Sequence, residues 1–157
     1  MTAAIVAVDP GLNGAVAVLN AAGELVELFD MPTVTSTTNR REISASALAD
    51  LLRKFPSAPA VVERVGPRPG EGAVGAFAFG HGFGVVLACL ATLGHPVRLV
   101  SPVSWKRWCA IPPGADKQAA IGVAARMVPS AANQLTLKKH DGRADALLIG
   151  LYGLRHP

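Results

Sequence analysis

Residues 3 to 31 read AAIVAVDPGLNGAVAVLNAAGELVELFDM, three apolar runs broken by Pro-Gly and Ala-Gly turn signals. The runs cover roughly 3 to 8, 14 to 19 and 25 to 31, each strand-sized, and the links between them are turns. A chain that starts this way is committed to an antiparallel meander.

Helical and strand signals then alternate. Ser44 or Ser46 starts a helix running through Lys54, with Leu48, Leu51, Leu52 and Phe55 at helical spacing. APAVVERV reads as a buried strand, 72 to 94 as a long helix, HPVRLV as a strand and VSWKRWC as a short helix. A helix over 116 to 127 and a last helix opening at Asp141 complete the order. A meander followed by alternating helices and strands predicts an α/β fold, a mixed sheet with helices packed over it. The flexible pieces are expected at Thr33 to Arg41, at GPRPGEG (66 to 72) and at IPPGAD (111 to 116).

With 157 residues, half of them apolar, the chain is expected to form a single domain over 1 to 157 with a substantial core. The apolar 72 to 94 segment is punctuated by Gly75, Gly80, Gly82 and Gly84, so it is expected to be a helix and no membrane span, either buried inside the domain or, being apolar around more of its circumference than one sheet could cover, packed against a second copy. No basic leader precedes an apolar stretch at the N-terminus, which predicts a soluble cytoplasmic protein, in the host cytoplasm if phage-encoded. Cys89 and Cys109 lack metal-binding spacing and are expected to be reduced core thiols. The formal charge is +4, with cations clustered at 40 to 42, 53 to 55, 104 to 108 and 137 to 140, a surface suited to a polyanion.

Against that basic background the acids stand out. KKHDGRADALLIG places Asp141 and Asp145 four positions apart, side by side on a helix, where they repel unless a cation lies between them. Arg143 points largely away from both. Asp141 alone could be a first-turn acid suited to the helix dipole. Asp145 heads a stripe of Leu148, Ile149 and Tyr152 that should be buried, and an unpaired buried carboxylate is costly. Asp9 stands at the end of the first strand, where Asp9-Pro10-Gly11 could also be only a turn. Glu63 falls in the strand AVVERV and needs a partner, which Arg64 or a lysine could supply. Met together at one sheet edge, these four acids suit two hard divalent cations, the arrangement that hydrolyses phosphodiesters.

VAVDPGLNGAVAVL, the long segment from VVERVGPRPGEG through PVSWKRW, ADKQAA and KKHDGRADALLIGLYG together resemble RuvC-type Holliday junction resolvases of the ribonuclease H-like superfamily, especially the short bacteriophage form. The resemblance runs over nearly the whole chain in order. It implies a five-stranded mixed sheet flanked by helices and a homodimer that nicks four-way DNA junctions in pairs. Two Mg²⁺ or Mn²⁺ ions per active site are implied, with no membrane and no nucleotide cofactor. The family's acids fall on Asp9, Glu63 and Asp145, with Asp141 as the upstream partner of the last. Its basic positions fall on Lys106, Arg107 and Lys117. Lys117 opens a helix, where a cation is unfavourable unless an anion such as phosphate faces it. Two departures stand out. Cellular members space the last two acids three apart, whereas here position 142 is glycine and His140 is the alternative ligand. The loop after Glu63 lacks the family's aromatic, so Arg68 would contact phosphate instead. Trp105 and Trp108 are expected as core anchors, and His81 and His95 as structural residues.

The same residues admit a nuclease for flaps, other branched DNA or RNA–DNA hybrids, or a junction binder that does not cut. DPGLNGAVAV also resembles an actin-like phosphate loop, but a chain of this length leaves no second lobe to close over a nucleotide.

Overall fold

The computed structural model describes residues 2–67 and 69–157. Strands β1 (Ile5–Asp9), β2 (Ala15–Leu19) and β3 (Leu25–Asp30) form the expected meander. Val8 faces Val16 and Asp9 faces Ala15 across the first antiparallel pair. The segment from Thr33 to Arg41 is not an open loop. Thr33–Thr35 (β4) pairs antiparallel with Arg41–Ile43 (β5) as a small ribbon. The β-branched run Thr-Val-Thr favours extended backbone, and Asn39 takes the left-handed turn position at φ 57°.

Helix α1 (Ala45–Leu52) is capped by Ser44, whose Oγ accepts the Ala47 N–H, and it stops two residues short of the expected Lys54. Strand β6 (Ala60–Glu63), helix α2 (Ala73–Thr92) and strand β7 (Val97–Val100) follow. Ser101 caps α3 (Pro102–Trp108), and Asp116 caps α4 (Lys117–Met127) by accepting the Ala119 N–H at 3.0 Å. A short 3-10 turn over Lys138–His140 leads into α5 (Asp141–Arg155). The main sheet has the order β3-β2-β1-β6-β7, antiparallel through the meander and parallel from β1 to β7.

Strand alternation divides the core in two. Ile5, Ala7, Ala17, Leu19 and Val61 face α5 and α4, together with Trp105 from α3. Val6, Val8, Val16, Val18 and Val62 face α1 and α2. Helix α5 lies close against its side of the sheet because glycines meet the strands. A Cβ on Gly150 would lie 2.9 Å from a Leu19 methyl, and one on Gly153 would lie 2.7 Å from Ile5 Cδ1. Burial of α5 is broader than one stripe, since Ala146 through Leu151 are all enclosed between the sheet and its neighbours.

Helix α2 departs most from expectation. It is not an interior helix. Only Gly82, Val86 and Leu90 are buried, while Val74 and Phe77 are exposed, Phe77 by 79%. The sheet can cover one stripe, and this helix is apolar around the rest of its circumference as well. Among the described residues α2 is also the one helix long and apolar enough, by length and composition, to cross a membrane.

Candidate active site

β1 and β6 are parallel neighbours, with Val8 opposite Val62, so Asp9 and Glu63 occupy the next step at the same carboxyl edge. Asp9 lies two residues beyond Ala7 and Glu63 two beyond Val61, which turns both carboxylates toward the face covered by α5. The N-terminus of α5 arrives at that same edge carrying Asp141 and Asp145. Its approach depends on two glycines. A Cβ on Gly142 would lie 2.1 Å from the Asn13 carbonyl oxygen, and one on Gly14 would lie 2.1 Å from that of Asp9. The turn after β1 is therefore stacked backbone to backbone on the start of α5. Position 142 can carry no side chain here, so an acid three residues before Asp145 has no room and the upstream acid stands at 141.

Asp9, Glu63, Asp141 and Asp145 line one cavity of about 490 Å³, with Lys106 and Lys117 among its walls. Burial raises the Asp9 carboxyl from an ordinary 3.8 to about 7; the Glu63 and Asp141 charges add to this, against a hydrogen bond from the Gly11 N–H and the charge of Lys106. Asp145 is likewise raised to about 7, first by burial and next by Asp9, with Glu63 and Asp141 adding and Lys106 opposing. Two carboxyls driven this far up mark a place short of positive charge.

The other two acids are held. Glu63 Oε2 accepts the indole N–H of Trp105 at 2.6 Å, and Trp105 is fully buried. Asp141 Oδ2 lies 2.7 Å from Lys117 Nζ, and this bond, with the Asp141 charge, raises the Lys117 pKa. The anion facing the first residue of α4 in this structure is thus a carboxylate of the chain itself. Among the described residues, no three His, Cys, Asp or Glu side chains gather closely enough to hold a metal ion. Trp105 and Lys117 each hold one of the acids. The donors nonetheless fit a hard divalent cation: all are carboxylate oxygens, and burial raises two of them, Asp9 and Asp145, to about 7 despite the nearby Lys106.

The remaining sequence candidates separate. Lys106 lines the acid cavity and also, with Arg107, an adjoining groove toward Pro112. Arg68 lies outside the described residues. His140 is buried, accepts the Leu137 N–H on Nδ1 at 3.3 Å, and lines a neighbouring cavity. Arg143 serves Asp30 through two bonds of 2.6 and 2.8 Å, which explains its uselessness to Asp141 and Asp145. Trp108 packs edge-on against Tyr152, and buried His95 bonds the Ala58 carbonyl, both structural as expected. Glu71, assigned nothing from sequence, lines the acid cavity. Trp105 is more than a core anchor, and the signal was there: a buried indole N–H seeks an acceptor.

Solved structures with this architecture exist. The Thermus thermophilus RuvC structure superposes with a TM-score of 0.62 at 22% identity, covering 94% of this chain and 90% of that one. The structure described as T. thermophilus RuvC in complex with Holliday junction substrate gives a TM-score of 0.64 at 19% identity, covering 94% and 89%. No protein-family profile and no curated protein matches the chain. The fold is therefore the ribonuclease H-like fold of RuvC, with its mixed five-stranded sheet flanked by helices.

Proposed function

We propose that this protein is a metal-dependent endonuclease that resolves four-way DNA junctions by paired, symmetric nicks. The observation that carries this is the convergence of Asp9, Glu63, Asp141 and Asp145, from three separate elements, on one cavity flanked by Lys106 and Lys117. The likeness in fold to a protein solved with a Holliday junction supports the substrate.

The four acids would hold Mg²⁺ or Mn²⁺, two ions per site, which when bound supply Lewis acidity for the attacking water and the leaving oxygen. Asp9 and Asp145 would hold the ions as carboxylates, since a bound cation would offset the burial that raises their pKa. Trp105 fixes the Glu63 carboxylate through its 2.6 Å bond. Lys117 leaves Asp141 and turns to the scissile phosphate, whose charge grows in the transition state. Lys106, Arg107 and Arg68 hold flanking phosphates.

Paired nicking needs two sites, and a second copy of the chain across a two-fold axis supplies one. Helix α2 is the proposed interface. A Cβ on Gly80 or Gly84 meets nothing within 4 Å, so a partner helix can approach closely there, and Val74 and Phe77 lie exposed on the same element. Gly75 and Ala78 of this helix also border the acid cavity, so an interface on α2 would lie beside the proposed cutting centre.

Cleavage of four-way, flap and RNA–DNA hybrid substrates by the purified protein with Mg²⁺ tests the reading. Preferential, symmetric nicking of the four-way junction is expected. Equal cutting of all three would make it a general nuclease of the same chemistry, and junction binding without cutting under Mg²⁺ or Mn²⁺ would overturn the enzyme.

A further inference from the structure

A second cavity of about 670 Å³ adjoins the acid cavity, sharing with it Leu12, Asn13, Gly14, Lys117 and Asp141. Its lining is cationic: Arg41 from β5, and Lys138 and Lys139 from the turn before α5. The acids that border it are engaged. Asp30 is held by Arg143 through two bonds, and Asp141 by Lys117. Among the described residues Lys138 and Lys139 have no carboxylate within ion-pair distance, so the cavity keeps a surplus of positive charge.

Arg41 shows that the site is shaped. Its Nη2 donates to the Leu12 carbonyl and, at 2.6 Å, to the Asn13 side-chain oxygen. Both bonds run through Nη2, which holds the guanidinium in place, while Nε and Nη1 remain as separate single donors not used by the described residues. A fixed guanidinium charge with single donors to spare suits a phosphate oxygen, and the two flexible ammonium groups lining the same cavity suit the same charge. The ribbon β4–β5, which the meander itself does not require, is what carries Arg41 to this place.

We propose that Arg41, Lys138 and Lys139 form a phosphodiester subsite for the DNA strand that passes through the acid cavity. This rests on the endonuclease reading. Lys106 joins the acid cavity to the Arg107 groove on one side, and Lys117 joins it to the new subsite on the other. The strand path thus runs from Arg107 past Lys106, over the four acids, past Lys117 and onto Arg41 and the lysine pair.

Binding to a four-way junction is measured across a salt series with Ca²⁺ replacing Mg²⁺ to prevent cutting. Relative to the unmodified protein, Arg41→Ala should weaken binding and flatten the log–log salt slope by about one, and the double variant Lys138→Ala/Lys139→Ala by about two. Arg155→Ala, at the opposite end of α5 from Asp141, is the single-charge control and should leave the slope unchanged. In a second arm, single phosphates of the junction are replaced by uncharged methylphosphonates. Those to one side of the cut should weaken the unmodified protein and cost the double variant nothing more. Normal nicking by the unmodified protein, with unchanged slopes or fully additive losses in the variants, overturns the subsite alone. Absence of both binding and nicking in the unmodified protein overturns the endonuclease reading and the subsite with it.

Discussion

Lys117 Nζ sits 2.7 Å from Asp141 Oδ2, so the cation at the mouth of the cavity occupies one of the four acids assigned to metal. On the proposed ligand set, Lys117 and a metal ion would compete for Asp141. Lys117→Ala should lower the nicking rate more than junction affinity, since a cation on the reacting phosphate acts chiefly in the transition state. It should also reduce the Mg²⁺ concentration giving half-maximal rate. Equal losses in rate and affinity would make Lys117 an ordinary phosphate contact, and a higher Mg²⁺ requirement would contradict the competition.

Asp9→Asn, Glu63→Gln and Asp145→Asn should each abolish nicking while junction binding persists, because binding rests on the basic surface and chemistry on the carboxylates. Asp141→Asn should lose activity too. Gel-shift and cleavage assays on one preparation decide it. Near-normal cutting by any variant removes that residue from the ligand set, and for Asp141 it would leave a first-turn acid and return His140 to consideration.

Trp105→Phe keeps the ring in the core and deletes the donor to Glu63. Stability should fall by about 0.5–1.5 kcal/mol, the net contribution of one hydrogen bond, and nicking should fall as well because Glu63 loses the indole that orients it. Urea unfolding and single-turnover cleavage measure the two. Unchanged cleavage would confine Trp105 to packing.

The pH dependence of the metal-free protein follows from the raised carboxyls. Asp9 and Asp145 keep their protons up to about 7 in the folded chain but release them near 3.8 when unfolded. Between those values the folded state binds more protons, so stability is highest at the acid end and declines as pH rises to about 7. The melting temperature should drop from about pH 5 to about pH 8, and Mg²⁺ should restore it at the upper end by binding the folded state. A metal-free melting temperature that rises over this range would contradict the uncompensated carboxylates.

Gly80→Leu tests assembly. The added side chain meets open space within one chain, so the fold should survive while close approach of a second α2 is blocked. Sedimentation should show a dimer for the unmodified protein and a monomer for the variant, which should nick a supercoiled cruciform without pairing the cuts in one binding event. A monomeric unmodified protein at micromolar concentration with paired nicking intact would sink the interface. Recovery of the protein only with lipid or detergent would assign α2's apolar surface to a membrane.

Much of the fold was legible because its signals are local. Three apolar runs between turn residues give the meander, and Ser44, Ser101 and Asp116 each stand where a helix begins. The acids were legible as isolated charges in apolar surroundings. What escaped depends on long-range geometry. Thr33 to Arg41 looks like a polar linker until β4 and β5 pair. Apolar content reads as burial, yet α2 has only one stripe facing the sheet. Gly142 reads as a departure in spacing, and only its clearance from the Asn13 carbonyl explains it. Lys117 and Asp141 are 24 positions apart in sequence, and nothing local announces that they meet.

The stacking of Gly142 on the turn at Asn13 and Gly14 joins the first element of the sheet to the last helix of the chain. During synthesis Asp9 and Glu63 leave the ribosome long before Asp141 and Asp145. Contacts between such distant segments also carry the greatest loop-closure cost in folding. A nascent or partly folded chain therefore holds only two of the four acids, and the set is complete only once α5 docks.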